Sequence, residues 1–306
     1  MNNLLSTTGE AWNWPYWGIM VGINVISFAI MVFILIKMIL DYKKDKVNGK
    51  YRLILSIFGM IYCSVALYRS AFISSYTGLK GWFGITANSS FVIRCLATFA
   101  EISFAIVIGV VLMHMNKQVA LPEYVYKHPW FEKFLKFSPW LIIICLSIAQ
   151  FFAWSGLLTQ YIFLFAIEET LWCLGFVCIL PLLLVQTINL FKNFKHERRL
   201  TYYKVFVMVL CVFTIGYALF QICYQLPFGY YLEIADDMVN GVHYGINAES
   251  FNRIITVVNQ TRTFEDWGGI GFFIWHSGYF SLAVWMTLLF ASGPRVNDDG
   301  FVHRRA

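Results

Sequence analysis

Residues 160–191 read QYIFLFAIEETLWCLGFVCILPLLLVQTINLF, and Glu168 and Glu169 are the only charged side chains among them. At about 1.5 Å per residue a helix of this length reaches roughly 48 Å, well beyond a hydrocarbon core of about 30 Å. The stretch therefore reads as a membrane-spanning helix with two adjacent carboxylates inside it. Both parts of that reading extend to the rest of the chain.

Of the 306 residues, 59% are hydrophobic and only 13% are charged, against about 25% charged in an ordinary soluble domain. The mean hydropathy is +0.63. These values exclude a soluble globular protein, a disordered chain and a nucleic-acid binder. Besides 160–191, six other apolar stretches are long enough to span: about 15–40, 53–75, 89–114, 139–158, 203–226 and 267–292. Backbone groups in lipid must be satisfied within their own segment, so all seven are expected to be helices. The predicted fold is an all-α integral membrane protein, a seven-transmembrane helix bundle forming one domain.

The basic residues predict its orientation. Loops 41–52, 115–137 and 192–204 and the tail after 293 together carry 17 Lys and Arg, while the opposite side has Lys80, Arg253 and Arg262. The positive-inside rule then places the N-terminus outside and the C-terminus in the cytoplasm, in a plasma or inner membrane. The net charge of +6 describes topology and not a nucleic-acid partner. The first residues, MNNLLSTTGEAWNWP, lack a basic n-region, so the first helix is expected to stay uncleaved.

Two non-spanning stretches have character. LPEYVYKHPWFEKFLKF (121–137) mixes aromatics with lysines and suits a segment lying on the cytoplasmic interface. The outer loop 227–266 is long and acidic, and within it Phe251, Ile254, Ile255 and Val258 share one face of a short amphipathic helix. That helix rests on the headgroups or forms a lid over the bundle. Sequons at Asn88 and Asn259 fall on the outer side, where they can accept glycans. Five of the seven cysteines lie within apolar runs and read as small hydrophobes; only Cys95 and Cys223 lie near outer helix ends.

Two familiar seven-helix families fail on residues. A retinal protein needs a Schiff-base lysine in its last helix, and no lysine follows Lys204. A rhodopsin-like receptor would show an acidic-Arg-Tyr end to helix three and NPxxY in helix seven. Here helix three ends Leu-Met-His-Met-Asn-Lys, and helix seven has no proline before Pro294.

Ionisable groups are rare inside a bilayer and face the bundle interior. This chain places Arg69, Arg94, Glu101, Glu168, Glu169 and His276 there, all within an outer-half band about 10 Å thick at 1.5 Å per residue. Arg94, Thr98 and Glu101 form one stripe of helix three. Gln221 belongs to a polar stripe on helix six, and Trp275, His276 and Tyr279 cluster on helix seven. The expected site is a pocket opening outward, lined by Arg69, Arg94, Glu101, Glu168, Glu169, Gln221, Trp275, His276 and Tyr279. A closed ion network that only fixes helix packing is the competing reading.

Three functions fit such a pocket. The first is recognition of a small anionic or amphipathic ligand, or a proton, for transport or sensing, with the arginines as anion forks. Against transport stands the lack of a repeat and of a Gly/Pro-broken helix. The second is an intramembrane enzyme acting on a lipid-like substrate through a metal at Glu101, Glu168, Glu169 and His276. The third is a structural subunit of a membrane complex. The expected partners are the lipid bilayer and a small-molecule ligand, with no nucleic acid.

Overall fold

The computed structural model describes residues 13–45, 48–118, 121–194, 202–263 and 265–293. Seven of its helices are long and apolar enough to cross a membrane, so the chain is a multi-pass integral membrane protein. They are α1 (Asn13–Asp41), α2 (Gly49–Ala71), α3 (Ser90–Gln118), α4 (Pro129–Thr159), α5 (Ile162–Phe194), α6 and α7. Helix α6 is continuous through Tyr202–Phe220, Gln221–Gln225, Pro227–Tyr231 and Leu232–Asn240. Helix α7 covers Gly269–Ala291. The first six pack in chain order, each on the next, and α7 lies mainly against α2 and α1. Polarity is inverted as a bilayer requires. Phe33, Phe99, Phe151 and Val212 are exposed on the outside, while Arg69, Arg94, Glu101 and Glu168 are buried.

Two helix boundaries differ from the sequence reading. Helix α4 starts at Pro129 rather than near 139 and runs straight through Pro139, absorbing most of the expected interfacial segment. Pro139 has no N–H for the Leu135 carbonyl four residues back. That carbonyl instead accepts from Asn116 Nδ2 at 3.2 Å and Ser138 Oγ at 3.0 Å, so the helix survives. Helix α6 likewise extends to Asn240 instead of ending near 226. Pro227 is accommodated by two π-helical stretches, Gln221–Gln225 and Pro227–Tyr231, and the charges that suggested a loop lie on their continuation.

Helix α7 also has a π-stretch, Gly278–Leu282, within an otherwise continuous helix. A π-turn shifts carbonyls out of the i→i−4 ladder, and inside a membrane these need other partners. Two arrive from neighbouring helices. Tyr62 Oη donates to the Tyr279 carbonyl at 3.1 Å, and Asn24 Nδ2 donates to the Phe280 carbonyl at 2.8 Å. Asn24 Nδ2 also reaches Ser70 Oγ and the Met20 carbonyl. The bulge that aims Tyr279 inward is thus held by α1 and α2.

One end of the bundle bears a built cap. Strands β1 (Ser74–Ser75), β2 (Lys80–Gly81) and β3 (Asn259–Gln260) form a small sheet, with Ser74 opposite Gly81 and Lys80 opposite Asn259. The short helix Ala248–Thr256, started by a capping box of Asn247 and Ser250, sits on the ends of α3 and α4. Of its expected apolar face, Ile254 is buried against Leu79, Leu157, Leu158 and Phe165, whereas Phe251 is exposed and Val258 lies past the helix end. Arg253 Nη2 ties this helix to the Leu158 carbonyl at 2.9 Å. Asn88 is buried, with its amide on the Ile73 carbonyl at 2.9 Å, so the folded chain does not offer it for glycosylation. All seven cysteines are free.

The hydroxyls of Thr261 and Thr263 hydrogen-bond Asp266 and hold its carboxyl below the usual carboxylate value. A depressed pKa means the tie is intact at neutral pH and is lost as pH falls through that value. An NMR titration of Asp266 should therefore show its midpoint rise in Thr263→Val. Asn24→Leu should lower stability by about 1–2 kcal/mol by orphaning the Phe280 carbonyl, read as a lower thermal midpoint in nanodiscs. An unchanged midpoint would mean that α7 relaxes without Asn24.

Candidate functional site

The centre is Arg94 on α3. Its Nη2 meets Glu101 Oε2 at 2.9 Å on the same helix, and its Nη1 meets Glu168 Oε1 on α5 at 3.1 Å. Nη2 also donates to Gln150 Oε1 on α4, and Gln150 Nε2 returns a bond to Glu101 Oε2 at 2.8 Å. Trp154 Nε1 closes this side on Thr98 Oγ1 at 3.0 Å, while Thr98 donates to the Arg94 carbonyl. The stripe of Arg94, Thr98 and Glu101, one face of α3, thus fastens α4 and α5. Arg94, Glu101, Gln150 and Glu168 are buried and Thr98 and Trp154 half-buried, and the arrangement is a knot of charge-assisted hydrogen bonds.

The other half of the polar band is open. Arg69, in the last turn of α2, lies 3.6 Å from the free oxygen Oε1 of Glu101, and its Nη1 makes no hydrogen bond. Its guanidinium carbon sits 5.6 Å from the Tyr279 ring, 6.0 Å from the Tyr76 ring and 5.0 Å from the Phe280 ring. The buried hydroxyls of Tyr76 and Tyr279 have no partner. Continuing round, Tyr279 stacks on Trp275 with centroids 6.0 Å apart and meets Trp172 at 6.2 Å. Tyr217 follows, then Gln221, whose Nε2 donates to Tyr217 Oη at 2.7 Å and to Glu169 Oε2 at 2.8 Å. Gln221 Oε1 is orphaned. Gln221 opens the first π-stretch of α6 and Tyr279 lies in that of α7, so both distortions face the same place. Such stretches are frequent at functional sites.

Tyr76 comes from the cap, not from a membrane helix. Its ring is 5.3 Å from the Arg94 guanidinium carbon and stacks with Phe165 at 6.4 Å. Burial pushes its phenol above the ordinary value, so the group stays neutral at physiological pH. The sequence carried no signal for it, because loop 72–89 has no periodicity that would aim one tyrosine inward. It also changes the expected pocket: the mouth toward the cap is covered by Tyr76 and, above it, by the Ile254 helix.

Two of the expected groupings separate. His276 faces α1, with Nδ1 at 2.8 Å from Tyr16 Oη and its ring between Phe272 and Phe280. It does not join the glutamates. Among the described residues no three His, Cys, Asp or Glu side chains gather as a metal shell, so Glu101, Glu168, Glu169 and His276 do not form the metal site considered from sequence. Glu168 and Glu169 point apart as adjacent helical residues must; the first belongs to the knot and the second to the open half.

No protein-family model and no curated protein matches this chain.

The two halves should respond differently to mutation. Arg94→Ala leaves Glu101 and Glu168 buried without their cation and should destabilise by about 3–5 kcal/mol. Tyr279→Phe removes a hydroxyl that bonds nothing and should stay within about 0.5 kcal/mol of the parent. Denaturation of both variants in the same nanodiscs checks the contrast, and equal losses would refute the division.

Proposed function

We propose that this protein is a ligand-binding multi-pass membrane protein, working in transport or sensing, whose site is the open half of the polar band. Its ligand is a small amphipathic cation, or a proton. The observation that carries this reading is a charge count. Three carboxylates, Glu101, Glu168 and Glu169, accompany two guanidiniums, Arg69 and Arg94. With all of them ionised the cluster lacks one positive charge, and isolated buried charge is expensive enough that a proton or a bound cation should supply it.

The same count argues against the anionic ligand expected from the arginines. The terminal nitrogens of Arg94 are taken by two glutamates and Gln150, and Arg69 already faces the second oxygen of Glu101. An added anion would meet two guanidiniums that each already face a carboxylate, beside a third carboxylate held only by Gln221. The rings of Tyr76, Trp172, Trp275 and Tyr279 supply faces that favour a cation. The knot around Arg94 supports a packing role for that half alone. The basic loops support an orientation with the capped end outside and the basic end in the cytoplasm.

Two small probes in nanodiscs test the reading: hexyltrimethylammonium and hexanoate, followed by tryptophan fluorescence. The ammonium should bind and hexanoate should not. Glu169→Gln, which keeps the shape and the Gln221 contact, should weaken ammonium binding by about tenfold or more. In the probe-free protein, infrared titration should show a protonated-carboxyl band that Glu169→Gln removes or shifts. Hexanoate binding abolished by Arg69→Gln would restore the anion reading. No binding and no pH-dependent carboxyl band would leave only a packing network.

A further inference from the structure

We propose that the site is reached sideways from the bilayer, through the seam between α6 and α7, so that its ligand is a membrane-dissolved amphiphile and not a solute arriving from water. This rests on the open half being a ligand site. The route follows from what is closed and what is not.

Toward water the site is covered twice. Tyr76 lies over both guanidiniums, and the Ile254 helix lies over the loop that carries it. That cover is fastened to several helices. Tyr68 Oη of α2 holds the Ala87 carbonyl at 2.7 Å, the Tyr244 N–H holds the Thr159 carbonyl at 3.0 Å, and Arg262 Nε holds the Trp82 carbonyl at 3.2 Å. Opening it toward water would break many bonds together.

The seam between α6 and α7 is different. These helices meet chiefly in the half away from the cap, where Phe206 and Phe290 pack edge to face with centroids 5.0 Å apart. In the capped half, the Tyr224 side chain spans the seam. Its hydroxyl lies 2.9 Å from where a Cβ on Gly271 would stand, so Gly271 admits it only by having no side chain. Tyr224 belongs to a ladder with Phe220 and Phe228, at centroid separations of 5.7 and 6.1 Å. Tyr224, Phe228, Ile270 and Ile274 are exposed at this level. One turn from Gly271 on α7 is Trp275, stacked on Tyr279, and one turn from Tyr224 on α6 is Gln221, bonded to Glu169. The π-stretch of α6 holds Tyr224 itself, and that of α7 begins about two turns along from Gly271, so the intrahelical ladder is loosened on both sides. One tyrosine rotamer change therefore connects the acyl-chain region to the orphaned polar atoms, and such flips are fast. A positively charged head would sit by Glu169 and Gln221, and its chain would lie along the ladder.

The test does not depend on identifying the ligand. A reporter cysteine, Tyr279→Cys, is placed in full-length protein with Cys95→Ala and Cys223→Ala, and the same protein without the reporter gives the baseline. In nanodiscs it is treated with a pyrenyl maleimide that partitions into lipid, or a sulfonated maleimide that stays in water. The pyrenyl reagent should label faster. Gly271→Phe, which fills the seam, should slow it by about tenfold, and Tyr224→Ala should speed it. Faster labelling by the sulfonated reagent, indifference to Gly271→Phe, or no labelling by either reagent would overturn the lateral route. If Tyr279→Cys fails to fold, Trp275→Cys serves as the reporter, with the same outcomes deciding. Labelling can fail while hexyltrimethylammonium still binds, and binding can fail while the seam still labels, so the two proposals fall separately.

Discussion

Everything in the capped half of the bundle depends on one buried guanidinium. Arg94 cannot be solvated by lipid, so its charge must be answered by neighbouring helices. Glu101 answers from one turn pair along α3, Glu168 from α5 and the Gln150 amide from α4. Removing one member leaves an uncompensated charge, which is why such pairs are destructive to break even when they add little as a set. The geometry this imposes is specific: α3, α4 and α5 are locked at a common depth, with Trp154 and Thr98 completing the contact. The remaining groups of the band are positioned relative to that lock.

A second constraint acts on the backbone. Lipid offers no hydrogen bonds, so a helix can leave its regular ladder only where side chains take up the released carbonyls. Asn24 and Tyr62 do this for α7, and Asn116 and Ser138 do it at Pro139 of α4. These are ordinary polar residues whose role is visible only once two helices are side by side. They make the π-stretch of α7 a maintained feature, and it directs Tyr279 toward Arg69.

This explains what the sequence could disclose. The seven spans were legible because length and apolarity act locally, residue by residue. The Arg94–Thr98–Glu101 face was legible because helical spacing is fixed. That Glu168 and Glu169 serve different partners also followed from their adjacency. By contrast, α4 and α6 run past the ends that apolarity suggested, through Pro139 and Pro227. Rescue of those positions depends on distant residues and on π geometry, and neither leaves a periodic trace. Tyr76 was missed for the same reason, because a cap loop, not a helix face, places it. His276 was grouped with the glutamates on depth alone, and depth does not give azimuth: Tyr16 draws it to the α1 side.

The distribution of unsatisfied atoms then separates architecture from function. A buried polar atom without a partner costs free energy in any protein, and in a bilayer water is slow to relieve it. Both terminal nitrogens of Arg94 are engaged, while its Nε is not. In the other half of the band, Arg69 Nη1, the hydroxyls of Tyr76 and Tyr279 and Gln221 Oε1 are left open. A network meant only to fix helices would gain by closing these too, since the partners it needs are short polar substitutions away. Instead they flank the ring cluster of Trp172, Tyr217 and Tyr279, with a surplus carboxylate on one side, where two helices have interrupted ladders and a seam bridged by one tyrosine. Packing explains the first set and leaves the second unexplained. An occupant with a positive head and an apolar chain would answer the surplus carboxylate and the Gln221 carbonyl oxygen and fill the seam in the same act.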